Sequence, residues 1–302
     1  MGLPDITREI AELKTAKNAV IVAHNYQSAE VQDIADFVGD SLELSRRAAV
    51  WEARTIVFCG VGFMAETASI LAPGKTVLLP DSGAGCPMAD MITAAELRDW
   101  KSKYPGRPVV CYVNTSAEVK AESDICCTSA NAVEVVKSLK AEEVLFVPDR
   151  NLAAWTARQT GTKIIAWDGY CFVHDRFTAS DIREKKTLHP QADVWAHPEC
   201  RLEVLDLADR VLSTGGMVRE ASRTARSEVI LATESGIIHR LKKENPDVEY
   251  YPARAMAFCS NMKKTTLGKV LISLREGIHR VFVPPGIADR ARGAIQKMLE
   301  IQ

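Results

Sequence analysis

Nowhere does this sequence hold a run of about 18 apolar residues, so no segment is expected to cross a membrane as a helix. It also lacks an excess of either charge. Its 38 Lys and Arg face 39 Asp and Glu for a net of -1, so bulk electrostatics favour neither nucleic acid nor an anionic membrane surface. The opening "MGLPDITREIAELKTAK" has no basic stretch followed by an apolar run and is expected to be no secretory signal; a cytoplasmic location is expected. Met1-Gly2 lacks the hydroxyl spacing of a myristoylation signal. Low-complexity sequence is absent, and "GVGFMAET" lacks the third glycine of a dinucleotide fingerprint. Cys86, in "DSGAGCPMAD", has no neighbouring cysteine for C-x-x-C metal or redox chemistry. The 47% hydrophobic content supports a core without disulfides, so the eight cysteines are expected as thiols. The first residues read as an amphipathic helix, with Ile6, Ile10 and Leu13 on one face and Asp5 or Thr7 near its cap.

What is present is a unit repeated three times. "AHNYQSAEVQDIADFVGDS", "YVNTSAEVKAESDICCTS" and "AHPECRLEVLDLADRVLST" align without a gap when His24, Tyr112 and His197 are superposed. Two residues on stand Tyr26, Asn114 and Glu199; twelve on, Asp36, Asp124 and Asp209; seventeen on, Ser41, Ser129 and Thr214. Each copy follows an apolar run ("NAVIVA", "RPVVC", "ADVWA"), and later runs "TIVFCG", "EVLFVP" and "EVILAT" also align. A last strand in each copy leads into a cysteine, Cys86, Cys171 or Cys259, lying 62, 59 and 62 residues from its anchor. The pattern predicts strand-helix-strand-helix-strand units: an α/β protein of three pseudo-threefold-related, three-layer α/β/α domains with parallel sheets. The units are 1–106 with the N-terminal helix, 107–190, and 191–302 with a closing helix, parted by the turn-rich "KSKYPGRP" and "REKKTLHPQ". Ligands of such sheets lie beyond the carboxyl ends of the strands, where the anchors and cysteines fall, so equivalent positions are expected to meet around one centre.

Three thiolates from three units make a three-ligand metal site. Zinc would ask for a fourth ligand such as His; a [4Fe–4S] cluster held by three cysteines keeps one iron open as a Lewis acid. Cys59, Cys111, Cys126, Cys127 and Cys200 share no register and read as structural, with Cys126 and Cys127 at a helix end. Ser41, Ser129 and Thr214 each precede a helical pattern and are candidate N-caps or N-terminal hydroxyls, at helix ends that suit carboxylates or phosphates. His24, Tyr26, Tyr112, Asn114, His197 and Glu199 supply groups for proton transfer and orientation. His174, His189, His239 and His279 have no repeat counterpart and read as structural.

The stretches "AHNYQ", "GDSLELS", "DSGAGCPMADM", "CYVNTSAEVKAESDICCTSANA", "HPEC", "STGGM" and "AFCSNMKKTTL" make the chain resemble, over essentially its whole length, the quinolinate synthases of NAD biosynthesis. That resemblance implies three α/β domains around one central [4Fe–4S] iron–sulfur cluster, with Cys86, Cys171 and Cys259 as its three ligands and one open iron site. It implies substrate contacts from His24, Ser41, Tyr112, Asn114, Ser129, His197, Glu199 and Thr214, with Tyr26 near the chemistry. It implies a transferase reaction condensing iminoaspartate with dihydroxyacetone phosphate to quinolinate, phosphate and two waters, and functional pairing with the enzyme that makes iminoaspartate. Within that reaction Glu199 is expected as general acid–base, and Tyr26 and His197 as groups that position or protonate a leaving group. Some members carry a further cysteine three residues after the last ligand; Met262 stands there in this chain. A rival reading is a diphthamide-biosynthesis-like iron–sulfur radical enzyme, which the resemblance supports at fold level alone. A second rival is a binding protein with a structural metal.

Overall fold

The computed structural model describes residues 3–301, so Met1 and Gly2 lie outside the described residues. Its twelve strands form three sheets, every pairing parallel. The first sheet contains β1 (Ala19–His24), β2 (Phe37–Gly39), β3 (Thr55–Cys59) and β4 (Thr76–Leu78). The second contains β5 (Val109–Tyr112), β6 (Ile125–Cys127), β7 (Glu143–Val147) and β8 (Lys163–Ala166). The third contains β9 (Asp193–Ala196), β10 (Arg210–Val211), β11 (Glu228–Ala232) and β12 (Glu249–Pro252). Their orders, β2-β1-β3-β4, β6-β5-β7-β8 and β10-β9-β11-β12, are one topology repeated. The central strands are buried along their length, as expected for parallel strands covered on both faces.

Each unit holds one strand more than the sequence pattern predicts. β2, β6 and β10 run only two or three residues, too short to leave a periodic signal. The repeated aspartate sets them in place. Asp36 donates its N–H to the Ile21 carbonyl at 2.8 Å, and its Oδ2 accepts the Ile21 N–H at 2.8 Å. Asp124 clasps Val109 at 3.1 and 2.7 Å, and Asp209 clasps Val194 at 2.9 and 2.8 Å. One residue thus satisfies both backbone groups of the first strand and delivers the chain alongside it. Cys126 and Cys127, expected at a helix end, lie in β6 for this reason.

Seven residues beyond each cysteine a threonine caps a helix: Thr93 for Ala94–Ser102, Thr178 for Ala179–Leu188, Thr266 for Leu267–Glu276. Each of these helices packs against the following unit. The first meets the helix Ala117–Ala121, the second meets β11, and the third returns to β3 and the N-terminal helix Leu3–Ala16. Val270, Leu271 and Leu274 share a core there with Ile10, Ile21 and Val57, with Ile6 and Leu13 packed against it. The last unit therefore closes a ring onto the first. The N-terminal helix begins at Leu3, with Asp5 in its first turn and Thr7 further along it. The final helix, Pro285–Glu300, crosses back to cover Ala117–Ala121, β6 and the helix Gly62–Leu71. Among the described residues no helix is long and apolar enough to cross a membrane.

Candidate active site

The carboxyl ends of the strands open onto one cavity. Every candidate residue named from the sequence lines it. His24, Tyr26, Tyr112, Asn114, His197 and Glu199 stand at or just past the ends of β1, β5 and β9; Ser41, Ser129 and Thr214 follow β2, β6 and β10; Cys86, Cys171 and Cys259 lie in the loops after β4, β8 and β12. Val61, Phe63, Met64, Met88 and Met262 supply apolar wall.

The three cysteine loops share their construction. The N–H groups of Gly62, Arg150 and Ser235, which are repeat-equivalent, donate to the carbonyl two residues before each cysteine, at 2.8, 2.9 and 2.7 Å. The chain then turns back, the fourth N–H after each cysteine reaching its carbonyl at 3.3, 2.9 and 3.2 Å. That turn aims the second and third backbone N–H groups after each cysteine at its sulfur. Burial pushes the Cys86 thiol up to about 12 and raises Cys171 and Cys259 as well. Thiolates here therefore need a compensating positive charge, and the converging N–H groups favour the sulfur anion. Three partly covered sulfurs lining one cavity are a donor set that suits a metal group, and among the described residues Cys171, His174 and Glu199 also bring ligand atoms within 4.8 Å of one another. The other five cysteines are fully buried and none lines the cavity.

Ser41, Ser129 and Thr214 do lie at helix N-termini, but capping falls to their neighbours. Asp40 accepts the Glu43 N–H at 2.9 Å, and Ser213 accepts that of Gly216 at 3.1 Å. Asn131 holds the cap position of the helix Ala132–Ser138 and binds the Thr128 N–H at 2.9 Å. Of the two expectations for these hydroxyls, cap or helix-terminal group, the cap is not what they are: they line the cavity, and Thr214 Oγ1 accepts from Asn25 Nδ2 at 3.1 Å. The repeated histidines are set alike. His24 Nδ1 accepts the Tyr26 N–H at 3.2 Å and His197 Nδ1 the Glu199 N–H at 3.4 Å, so Nε2 carries the proton in each neutral ring. Burial foremost, then neighbouring charges, brings both down to about 3.

His174, read from the sequence as structural, is corrected to a member of the site. Its Nδ1 lies 2.6 Å from Glu199 Oε2 and 3.2 Å from Cys171 Sγ, and its ring stacks on His197 at 4.4 Å. Its Nε2 meets Thr233 Oγ1 at 3.0 Å, and that hydroxyl is 2.6 Å from the Tyr26 hydroxyl. Glu199 Oε1 accepts a very short hydrogen bond from the Tyr112 hydroxyl. Burial opposes charge on Glu199, but His174, His197 and the Tyr112 hydroxyl hold its carboxyl below the usual carboxylate range. Burial also raises both tyrosines, so they are neutral phenols. The result is a continuous chain of proton carriers: Tyr26, Thr233, His174, Glu199, Tyr112. Glu234 was also missed; it is fully buried, its Oε1 accepts the Cys259 N–H at 3.0 Å, and Lys263 lies 2.9 Å away.

The family description "NadA: Quinolinate synthetase A protein" matches residues 8–300. The chain belongs to this family. Quinolinate synthetase A relatives match it end to end. A quinolinate synthase of Dehalococcoides mccartyi is 58% identical over 296 residues, and one of Methanoregula boonei 57% identical over 296, each covering 98% of both chains. One of Methanosarcina barkeri is 52% identical over 302 residues, covering 100% of this chain and 99% of its own.

Proposed function

We propose that this member of the quinolinate synthetase A family condenses iminoaspartate with dihydroxyacetone phosphate, releasing quinolinate, phosphate and two waters as a step of NAD biosynthesis. The observation that carries the reading is the meeting of three repeat-equivalent cysteines and three repeat-equivalent hydroxyls in one cavity. Cys86, Cys171 and Cys259 would hold a [4Fe–4S] cluster. Bound there, it supplies an iron with an open position that polarises a hydroxyl or carbonyl as a Lewis acid.

The remaining work belongs to side chains. Ser41, Ser129 and Thr214, at three helix N-termini, suit a substrate pair carrying two carboxylates and a phosphate. Asn114 Oδ1 is buried without a protein partner and is free to accept from substrate, while the Nε2–H groups of His24 and His197 donate. Tyr26 is the proton-transfer group facing the cavity. A proton it gives to a departing hydroxyl is restored through Thr233 from His174, whose imidazole is oriented and charge-balanced by Glu199. Tyr112 holds the far oxygen of Glu199 and so fixes that end of the chain. The apolar wall excludes water, which favours two successive dehydrations.

The test is anaerobic turnover. Reconstituted protein given iminoaspartate and dihydroxyacetone phosphate is expected to release quinolinate and phosphate in equal amounts. Phosphate release without quinolinate, or no reaction from iron-loaded protein, overturns the reading.

A further inference from the structure

Behind the cavity wall lies Lys120, an ammonium with no exposed surface. It does not itself line the cavity, and a buried ion is costly unless a partner offsets it; the charge of Lys120 favours the carboxylate of nearby Glu66. Its Nζ donates a very short hydrogen bond to the Thr115 carbonyl and sits 5.5 Å over the ring of Phe63, which lines the cavity from the first unit. Thr115 in turn binds the Tyr112 carbonyl through its hydroxyl at 3.1 Å. Lys120 therefore locks the turn that presents Tyr112 and Asn114.

The repeat places Gln32 at the equivalent position, eight residues after its anchor, and Gln32 does the equivalent thing. Its Nε2 donates to the Gln27 carbonyl at 2.8 Å, and the Gln27 N–H holds the His24 carbonyl at 2.9 Å, locking the turn that presents His24 and Tyr26. Nε2 also reaches the Gly236 carbonyl of the third unit at 3.0 Å. Gly236 and Phe63 are themselves repeat-equivalent, each 39 residues after its anchor. At the third junction the donor has moved across. Leu205 occupies the position of Lys120 and Gln32, while Asn151, equivalent to Phe63 and Gly236, donates through Nδ2 to the Glu199 carbonyl at 3.1 Å.

We infer that Gln32, Lys120 and Asn151 form a ring of buried donors that act as positioning residues, each fixing one cavity loop by a backbone carbonyl and tying it to the neighbouring unit. None of the three lines the cavity, so each acts on substrate through the loop it holds. The inference rests on the reading of those loops as substrate-facing.

The repeat supplies its own test. Lys120→Leu installs the residue of the third unit and removes the donor; Lys120→Gln installs that of the first and keeps one. Turnover, Tm and iron content are measured on each, with Lys120→Leu/Glu66→Gln guarding against a stranded carboxylate beside the site, and Gln32→Leu reporting independently on the first loop. Positioning predicts that Lys120→Leu and Gln32→Leu lose about tenfold or more in kcat per iron-loaded chain with Tm within about 3 °C of the parent. It predicts that Lys120→Gln stays within about threefold of the parent. Parental kcat per loaded chain in both leucine variants, or Lys120→Gln as impaired as Lys120→Leu, overturns the inference. So do leucine variants that fail to fold at both positions, which would make the ring structural. Absence of turnover in the parent itself instead refutes the proposed reaction.

Discussion

His174 stands three residues after Cys171, where the other units carry Ala89 and Met262, and all three side chains are buried. As a residue type it is not repeated, so the repeat gives no sign of it. The position is repeated, however, and only one unit places chemistry there. Thr233 is the same case, equivalent to Gly60 and Pro148 yet alone in bearing a hydroxyl. The proton chain built from these two residues predicts that Glu199→Gln lowers kcat by about a hundredfold or more while iron content stays unchanged. Near-parental turnover would remove Glu199 from it. His24 and His197 make a second prediction. Folded, they take up protons only near pH 3, whereas unfolded they do so near the ordinary 6.5, so the unfolded state binds more protons between these values. Stability is therefore full above about pH 6.5 and falls on acidification, by about 2 kcal/mol per histidine between pH 7 and 5. Urea unfolding at the two pH values, on the parent and on His24→Asn/His197→Asn, checks this; an equal fall in both contradicts it.

At the scale of elements, the apolar runs and the register were legible because strand length and repetition each leave a trace in sequence. β2, β6 and β10 were not, since two or three residues carry no period. Their marker was the aspartate twelve residues after each anchor, visible in the repeat but interpretable only once its backbone clasp is seen. The hydroxyls of Ser41, Ser129 and Thr214 were legible as helix-terminal but not as free of capping, because that depends on which of two adjacent polar side chains turns inward. Close approach between elements is equally hidden. A Cβ on Gly236 would stand 2.4 Å from Lys263 Nζ, 2.7 Å from Glu234 Oε2 and 2.8 Å from the Tyr26 carbonyl. The last is backbone and cannot swing aside. Gly236→Ala is thus expected to pry the Tyr26 loop from the third unit, costing about 1–3 kcal/mol of stability and lowering kcat together. Thermal unfolding and turnover measure both, and an unaltered Tm would refute the tight junction.

Over the whole molecule, three copies of one unit close into a ring, each capping the next, with the last helix of the repeat returning to the first sheet. Closure gives equivalent loops a common centre, so residues 85 and 88 positions apart in sequence become neighbours of one cavity. Within that frame sulfur and hydroxyl stand at three equivalent positions, whereas two imidazoles share one position and the third, His174, comes from another, and phenol, amide and carboxylate are not repeated threefold. Iron and acid-labile sulfide content after anaerobic reconstitution tests most directly whether the three sulfurs serve one metal group. About four of each per chain are expected, lost on replacing Cys86, Cys171 or Cys259 by alanine and retained on replacing Cys200. Stoichiometric zinc without sulfide, or a cluster that survives loss of any one of the three, would contradict that assignment.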